Sequence, residues 1–272
     1  MDAVFIANPE RASLSPLARL RQLRAIGALL IVLALAPFWA CISAARPRRA
    51  LERAAWCILL SGFGIAVRRH GTPASSGRVL TVANHISWVD IAVLARLCEG
   101  GFIAKREVAG WPVIGALARR LGCVFIDRES RSAVQSAVAE LSDYAPETGL
   151  IMFPEGTTGE GGALLPFRSS LFAAAGPRWT QIQPVTLAYR RRDGAPLCPV
   201  GRRRIAWLGD DALLPHAMAL AASGGARIDV WFEAPLSPAP RKELARACAD
   251  AIGARLAALE QADQAATLKR AA

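Results

Sequence analysis

The sequence has few of the residues that metal sites and disulfide frameworks require. Only three of its 272 residues are histidines, and two of them, His70 and His216, have no neighbouring set of ligands. The six cysteines are far apart and form no Cys-x-x-Cys pair. Isolated cysteines with apolar neighbours are typical of buried thiols in a reducing compartment. We therefore expect neither a disulfide framework nor a bound metal ion.

Lysine is also scarce, although the chain is strongly basic. Of the 33 cationic residues only Lys105, Lys242 and Lys269 are lysines, and the formal net charge is +11 at pH 7. Such an excess suits an anionic membrane surface or an acidic partner, with nucleic acid as the alternative. Two arginine clusters, at 190–192 and 202–204, have few aromatic residues near them. We therefore expect no nucleic-acid partner.

A long uncharged run lies near the N-terminus. Residues 25–45 carry no charge over 21 positions, enough to cross a bilayer of about 30 Å. Arginines flank the run on both sides, so the positive-inside rule gives no orientation, and Pro37 can kink a helix there. A second apolar run, 54–67, is too short to span. We predict that residues 1–76 form a membrane-associating segment, either one membrane helix or a helix-loop-helix that dips into one leaflet.

A cleaved signal peptide is the competing interpretation of this run. Small residues at 43–45 would suit cleavage. However, residues 1–24, which precede the apolar run, are long for the charged leader of a signal peptide. The hydrophobic fraction of 53% and the mean hydropathy of +0.28 favour surface that meets lipid. We expect an uncleaved segment on the inner membrane, with the rest of the chain on the cytoplasmic face.

From residue 77 to residue 236, short apolar runs alternate with helical stretches. This alternation predicts an α/β domain with a central, largely parallel sheet flanked by helices. The predicted strands are 78–83, 101–105, 123–127, 150–154, 181–189 and 227–233, and the predicted helices are 87–98, 112–121 and 131–144. Residues 237–272 predict a C-terminal helix that begins near Ser237 and continues to about residue 262.

The first motif whose residues could take part in catalysis follows the strand 78–83. Ser87-x-x-Asp90 predicts a capping box, which places His85 just before a helix and Asp90 in its first turn. The carboxylate can then reach one ring nitrogen and fix the tautomer, leaving the other nitrogen to take a proton from a substrate hydroxyl. Taken alone, the pair fits better a turn histidine and a carboxylate that interacts with the helix dipole.

The second motif, Phe-Pro-Glu-Gly-Thr at 153–157, follows the strand 150–154. Gly156 allows backbone N–H groups to approach a substrate closely. Glu155 could bond an acceptor hydroxyl or a loop amide, or could instead be a turn carboxylate that stabilises a following helix. Because both motifs end strands of a parallel sheet, we expect them at the edge where α/β proteins bind ligands.

Motifs for other chemistries are absent. The chain has no Gly-x-Ser-x-Gly elbow, no Gly-x-x-x-x-Gly-Lys phosphate loop and no Gly-x-Gly-x-x-Gly dinucleotide turn. A base without a protein nucleophile indicates direct attack by a hydroxyl on an activated acyl donor, without an acyl-enzyme. No cofactor is implied.

Four motifs together resemble the membrane glycerolipid acyltransferases, the 1-acylglycerol-3-phosphate acyltransferases that make phosphatidic acid. They are Asn-His-x-x-x-x-Asp at 84–90, Gly-Cys-Val-Phe-Ile-Asp-Arg at 122–128, Phe-Pro-Glu-Gly-Thr at 153–157 and Gln-Pro-Val at 183–185. The resemblance implies His85 as general base and Asp90 as the residue that orients it. It also implies a substrate-binding set of Asn84, Lys105, Arg128, Glu155, Gly156, Thr157 and Arg168.

One position departs from the family pattern. The family loop commonly continues with an arginine that pairs with the acceptor's phosphate, whereas this chain has Thr158. The segment 158–172 resembles a branch that includes lyso-ornithine lipid acyltransferases. Either Arg168 replaces the missing charge, or the acceptor has no phosphate monoester.

The resemblance therefore implies an O-acyltransferase that moves a fatty acyl chain from acyl-CoA or acyl-carrier protein to 1-acylglycerol-3-phosphate. The alternative acceptor is lyso-ornithine lipid or another lysophospholipid. Two rival functions are a thioesterase, in which water accepts the acyl chain, and a non-catalytic, membrane-anchored basic protein that binds lipid or nucleic acid.

Overall fold

The structure is a computed structural model. It describes residues 14–42, 44–75, 77–111, 114–120, 122–126, 149–174, 179–209 and 211–271. The seven strands of this part are β1 Ala66–His70, β2 Val79–Ala83, β3 Gly101–Lys105, β4 Val124–Ile126, β5 Gly149–Met152, β6 Gln181–Arg190 and β7 Arg227–Phe232. Its α-helices are α1 Pro16–Cys41, α2 Ala45–Gly62, α3 Val89–Leu97, α4 Ile114–Arg120, α5 Pro199–Ile205, α6 Leu213–Ser223 and α7 Arg241–Ala271.

The strands form one sheet in the order β1-β7-β6-β2-β5-β3-β4. All neighbours are parallel except β6 and β7, which are antiparallel. Every residue of β2 and β5 is buried, as expected for parallel strands covered on both faces. The predicted α/β fold with a largely parallel, helix-flanked sheet is therefore confirmed.

The six predicted strands are all present, and β1 was missed. Three of its five residues are Arg68, Arg69 and His70, so the apolar alternation that identifies a strand is absent. The apolar run 54–67 therefore does not form one element: it contains the end of α2 and the start of β1. The C-terminal helix is also longer than predicted, because α7 begins at Arg241 and continues to Ala271.

Helices cover the sheet on two sides. One buried cluster joins Trp56 of α2 and Phe63, which directly follows α2, to Leu94 of α3 and Leu220 of α6. The other joins Trp179 to the first half of α7 through Leu244 and Cys248, among other buried residues. Burial raises the pKa of the Cys248 thiol to about 12, so this cysteine packs as an inert apolar group.

The N-terminal apolar run lies mostly in α1, which packs against α2 as a helical hairpin. The two helices approach each other closely at Gly62. A Cβ on Gly62 would lie only 2.3 Å from Cβ of Ala28, so glycine is required there. The guanidinium of Arg24 donates to the carbonyl of Gly62 at 3.0 Å and fastens the two helices. No helix in the described ranges combines the length and the apolar character needed to cross a membrane.

Candidate active site

The two sequence motifs meet at the carboxyl edge of the sheet. His85 follows β2 and Glu155 follows β5, and these strands are parallel neighbours with Val82 opposite Met152. Parallel neighbours end at the same edge, so their following loops are brought together although 70 residues separate the two side chains. The Glu155 carboxylate accepts a hydrogen bond from the backbone N–H of His85 at 2.7 Å.

Asp90 holds the His85 ring in one orientation. Nδ1 of His85 lies 2.9 Å from Oδ2 of Asp90. An ionised carboxylate only accepts hydrogen bonds, so Nδ1 carries the proton and Nε2 is the basic nitrogen. Asp90 is 0% exposed and has further donors in the backbone N–H groups of Ile86, at 2.6 Å, and Ser87, at 2.9 Å. The hydroxyl of Tyr189 donates to its other oxygen.

The predicted capping box is only half formed. The helix α3 begins at Val89, and no side chain caps its first turn. The carboxylate of Asp90 does reach back to the N–H of Ser87, which is one half of a capping box, but Ser87 does not return a side-chain bond. Asp90 caps the turn that carries His85 and orients the imidazole with the same oxygen.

The His85 ring rests on an aromatic surface. It stacks on Phe153 with ring centroids 4.0 Å apart and planes 14° apart, and Phe153 in turn stacks on Phe102. The side chain of His85 is 13% exposed. Stacking and the Asp90 bond together restrict the imidazole to one rotamer while leaving a part of it accessible.

Glu155 ties two loops together. One carboxylate oxygen accepts from the N–H of His85, and the other accepts from the N–H of Leu165 at 3.0 Å. Burial raises the pKa of the Glu155 carboxyl to about 7, against the opposing effect of these two donors. The partners of the Glu155 carboxylate are therefore loop amides, which was one of the three possibilities expected for it.

Gly156 and Arg168 lie against each other. Gly156 has a φ of +74°, and a Cβ there would come within 2.8 Å of Nε of Arg168. Only glycine fits at this position, because another residue would meet both the backbone strain and the guanidinium. The side chain of Arg168 is exposed, and Thr157 next to Gly156 is exposed as well. Together with Glu155, four of the predicted binding residues thus lie on one loop.

Thr158 contacts a segment from another part of the chain. Its hydroxyl donates to the carbonyl of Trp207, and the N–H of Trp207 donates to the carbonyl of Ile86 at 3.0 Å. The N–H of Gly159 donates to the carbonyl of His85 at 2.8 Å. These bonds fasten the loop that starts at Glu155 to the turn that carries His85.

The other three predicted binding residues are Asn84, Lys105 and Arg128. Asn84 is buried, and its amide exchanges two hydrogen bonds with the backbone of Leu187 on β6, at 3.0 and 2.8 Å. These bonds position the turn, and a role of Asn84 in binding substrate stays a prediction. Lys105 ends β3, with its backbone opposite Ile126 of β4. Arg128 and the predicted helix 131–144 lie outside the described residues.

Sequence reasoning did not find Tyr189 or Trp207 as site residues. Tyr189 is near the end of β6, five residues after Pro184 in the motif at 183–185, and burial together with the charge of Asp90 raises its pKa well above the ordinary value. The position of Tyr189 beside a family motif was the available signal. Trp207 lies outside all four motifs, so no local pattern could have identified it.

With this geometry in place, the chain can be compared with known proteins. A family model described as acyltransferase matches residues 65–188. Over 216 residues the chain is 35% identical to the lyso-ornithine lipid O-acyltransferase of Rhizobium meliloti (strain 1021), covering 74% of this chain and 73% of that protein. The chain belongs to the acyltransferase family. The resemblance seen in the four motifs is thereby confirmed, and the protein is an acyltransferase.

Other members of the acyltransferase family extend this comparison. The chain is 34% identical to the lyso-ornithine lipid O-acyltransferase of Brucella abortus (strain 2308), covering 71% of this chain and 77% of that protein. It is 34% identical to the 1-acyl-sn-glycerol-3-phosphate acyltransferase of Neisseria meningitidis serogroup B, covering 55% of this chain and 58% of that protein. The crystal structure of the 1-acyl-sn-glycerophosphate acyltransferase PlsC of Thermotoga maritima shares the fold, with a TM-score of 0.63, 20% identity, and coverage of 89% of this chain and 96% of that one.

Proposed function

We propose that this acyltransferase moves a fatty acyl chain from a thioester donor, acyl-CoA or acyl-carrier protein, to the free hydroxyl of a lysolipid. The observation that carries the proposal is the His85–Asp90 pair, with Nδ1 bound at 2.9 Å and the ring fixed by stacking on Phe153. A fixed imidazole with one basic nitrogen suits the removal of a proton from a hydroxyl. No cofactor is required, because the donor is already activated.

In the proposed reaction, Nε2 of His85 takes the hydroxyl proton as the oxygen forms a bond to the thioester carbonyl carbon. The C–S bond then breaks, and the leaving thiolate takes the proton back from His85. The buried carboxylate of Asp90 stabilises the imidazolium between these steps. The N–H of Gly156 already donates to the carbonyl of Phe153, so the amides that follow it, those of Thr157 and Thr158, are the proposed donors to the oxyanion.

For the acceptor, lyso-ornithine lipid is the favoured candidate. Two relatives with that acceptor in their names match more than 70% of this chain. At position 158 the chain has a threonine whose hydroxyl is bound to the carbonyl of Trp207, in place of the family's phosphate-pairing arginine. A zwitterionic acceptor needs no such arginine.

1-Acylglycerol-3-phosphate is the second candidate. The guanidinium of Arg168 lies against Gly156, two residues from the position of the missing arginine. A phosphate monoester carries up to two negative charges and needs charge-assisted donors, which an exposed arginine on this loop can provide. Its product would be phosphatidic acid.

An acceptor panel distinguishes the two. We expect mass spectrometry of products from purified enzyme with acyl-CoA to show acylated lyso-ornithine lipid, and Arg168→Ala to change the Michaelis constant for that acceptor less than about three-fold. If 1-acylglycerol-3-phosphate is the acceptor instead, Arg168→Ala should raise its Michaelis constant roughly ten-fold or more, from a loss of about 1.5 to 3 kcal/mol. A wild-type enzyme that acylates 1-acylglycerol-3-phosphate and ignores lyso-ornithine lipid would overturn the first candidate.

We further propose that the enzyme acts at the cytoplasmic face of the inner membrane and attaches there through α1. This helix buries small residues such as Ala25 and Ala28, while Leu20, Leu23 and Leu30 are 63%, 64% and 60% exposed. A soluble helix has the opposite arrangement, with its large apolar residues facing the core. Exposed apolar surface of this kind is typical of membrane-binding or partner-binding faces.

Membrane attachment can be tested by extraction. Burying a leucine contributes roughly 1.5 to 3 kcal/mol, so the triple variant Leu20→Glu, Leu23→Glu, Leu30→Glu should move from the membrane to the soluble fraction. The matched control is Leu268→Glu, at an exposed leucine of α7. Release of the wild-type protein by high salt alone would contradict attachment through α1. Deleting the N-terminal segment is unsuitable, because Trp56 and Phe63 belong to the core.

A further inference from the structure

A cavity of about 760 Å³ lies beside the active site and has no part in the reaction described so far. It is lined by the loop 161–164, by Tyr189 and Arg190 at the end of β6, and by residues of the second half of α7. Arg190 and Asp263 are joined where β6 ends, and α7 continues eight residues beyond Asp263, which is about 12 Å of helix. The helix therefore overhangs the edge of the sheet at which His85 lies. We name this space the α7 cavity.

The walls of the α7 cavity are hydrogen-bonded to His85, Asp90 and Glu155. At one end of the loop, the N–H of Gly159 donates to the carbonyl of His85, and at the other end the N–H of Leu165 donates to Glu155. Tyr189 lines the cavity, and its hydroxyl donates to Asp90. A ligand in the α7 cavity would thus contact the same loop and strand that hold the His85–Asp90 pair.

The lining of the α7 cavity carries two positive and two negative side chains. Arg190 is 7% exposed, donates to both carboxylate oxygens of Asp263, at 2.7 and 2.9 Å, and also pairs with the buried Asp229 at 3.5 Å, so its charge and that of Asp263 are already compensated. Arg202 and Glu260 line the same cavity, and within the described ranges neither side chain has a hydrogen bond or an ion pair. The cavity therefore presents one unpaired cation and one unpaired anion, with no net charge.

Such a lining suits one class of head group. A zwitterion with a carboxylate and an ammonium group can satisfy both unpaired side chains, whereas a phosphate monoester would face the unpaired carboxylate of Glu260. The apolar side chains of Leu164, Leu197 and Leu256 in the same lining suit the methylene groups next to a head group.

We propose that the α7 cavity binds the zwitterionic amino-acid head group of the acceptor lysolipid, with Arg202 at its carboxylate and Glu260 at its ammonium. The proposal rests on the proposed acyl transfer to a lysolipid and specifies the acceptor class. It assigns acceptor selection to α7, outside all four family motifs, and it accounts for the loss of the phosphate-pairing arginine at position 158.

The test is a charge reversal on α7 with a matched control. Glu260→Lys replaces attraction of the ammonium by repulsion and should raise the Michaelis constant for lyso-ornithine lipid about five-fold or more, leaving that for acyl-CoA unchanged. Asp250→Lys makes the same change of charge on the same helix outside the cavity, at a residue 71% exposed in its side chain, and should leave both constants unchanged. Arg202→Gln should raise the constant for lyso-ornithine lipid in the same direction as Glu260→Lys.

The outcomes separate this inference from the proposed function. If wild-type enzyme acylates lyso-ornithine lipid and Glu260→Lys behaves like Asp250→Lys, the head-group site is wrong while the function stands. If wild-type enzyme does not acylate lyso-ornithine lipid, the favoured acceptor and the head-group site are both wrong. Unfolding temperatures of the variants exclude loss of the fold as the cause of a raised Michaelis constant.

Discussion

Replacing His85 by alanine should leave a folded protein whose acyl transfer is lowered by a factor of at least about 10³. The loss of a general base costs about 10² to 10⁴ in rate, and here the same substitution also removes the stacked ring that fills the space above Phe153. The fold should survive, because the carboxylate of Asp90 keeps its bonds from Ile86, Ser87 and Tyr189. Release of free thiol from acyl-CoA in the presence of lysolipid measures the rate.

The matched control for His85→Ala is His70→Ala. His70 lies on the edge strand β1 and stacks on Trp231, away from the catalytic turn, so turnover should change less than about three-fold. Asp90→Asn should reduce the rate comparably to His85→Ala or somewhat less, because it changes the orientation and charge of the pair without removing the base. Near-normal turnover of His85→Ala would refute the proposed mechanism.

Replacing Glu155 by glutamine should lower acyl transfer about 10²-fold and destabilise the protein. The two carboxylate oxygens accept from the N–H groups of His85 and Leu165, and the amide of glutamine can accept only one of these bonds. The other N–H is then left buried without a partner, which costs about 1 to 3 kcal/mol. A shift of about 1 Å in the turn that carries His85 is enough to lower the rate about 10²-fold. Turnover and chemical denaturation measure the two effects.

The destabilisation by Glu155→Gln should depend on pH. Burial raises the pKa of the Glu155 carboxyl from 4.5 to about 7, so between these values the folded protein holds a proton that the unfolded chain has released. The stability that this proton contributes is complete below pH 4.5 and is lost as the pH rises through 7, a change on the order of 3 kcal/mol. Glutamine cannot ionise, so the difference in unfolding free energy between wild type and variant should be largest below pH 4.5 and smaller at pH 8.

Glu160→Gln is the matched control for Glu155→Gln. Glu160 lies on the same loop but is exposed, so its substitution should change stability by less than about 0.5 kcal/mol at either pH. An equal effect of the two substitutions would show that Glu155 does not hold the loops together.

The motifs and the strands of the sheet could be predicted from the sequence because each depends on residues that are close together in the chain. Apolar runs of five to nine residues predicted six strands, and a polar residue directly after a strand predicted a place at the sheet edge. The contact between His85 and Asp90 spans five residues and follows from the start of one helix. Strand β1 escaped prediction for the same reason, since its own residues are mostly charged and only its pairing with β7 makes it a strand.

The sequence alone thus determined the family, and with it acyl transfer, through four motifs that include a His–Asp pair and a glycine loop at fixed spacing. The tertiary structure decided what surrounds them. Glu155 lies 70 residues and Tyr189 99 residues from the partners that they bond, and the length and position of α7 create the cavity next to them. Such contacts depend on the order of strands in the sheet and on where a distant helix ends, which no local pattern of residues encodes.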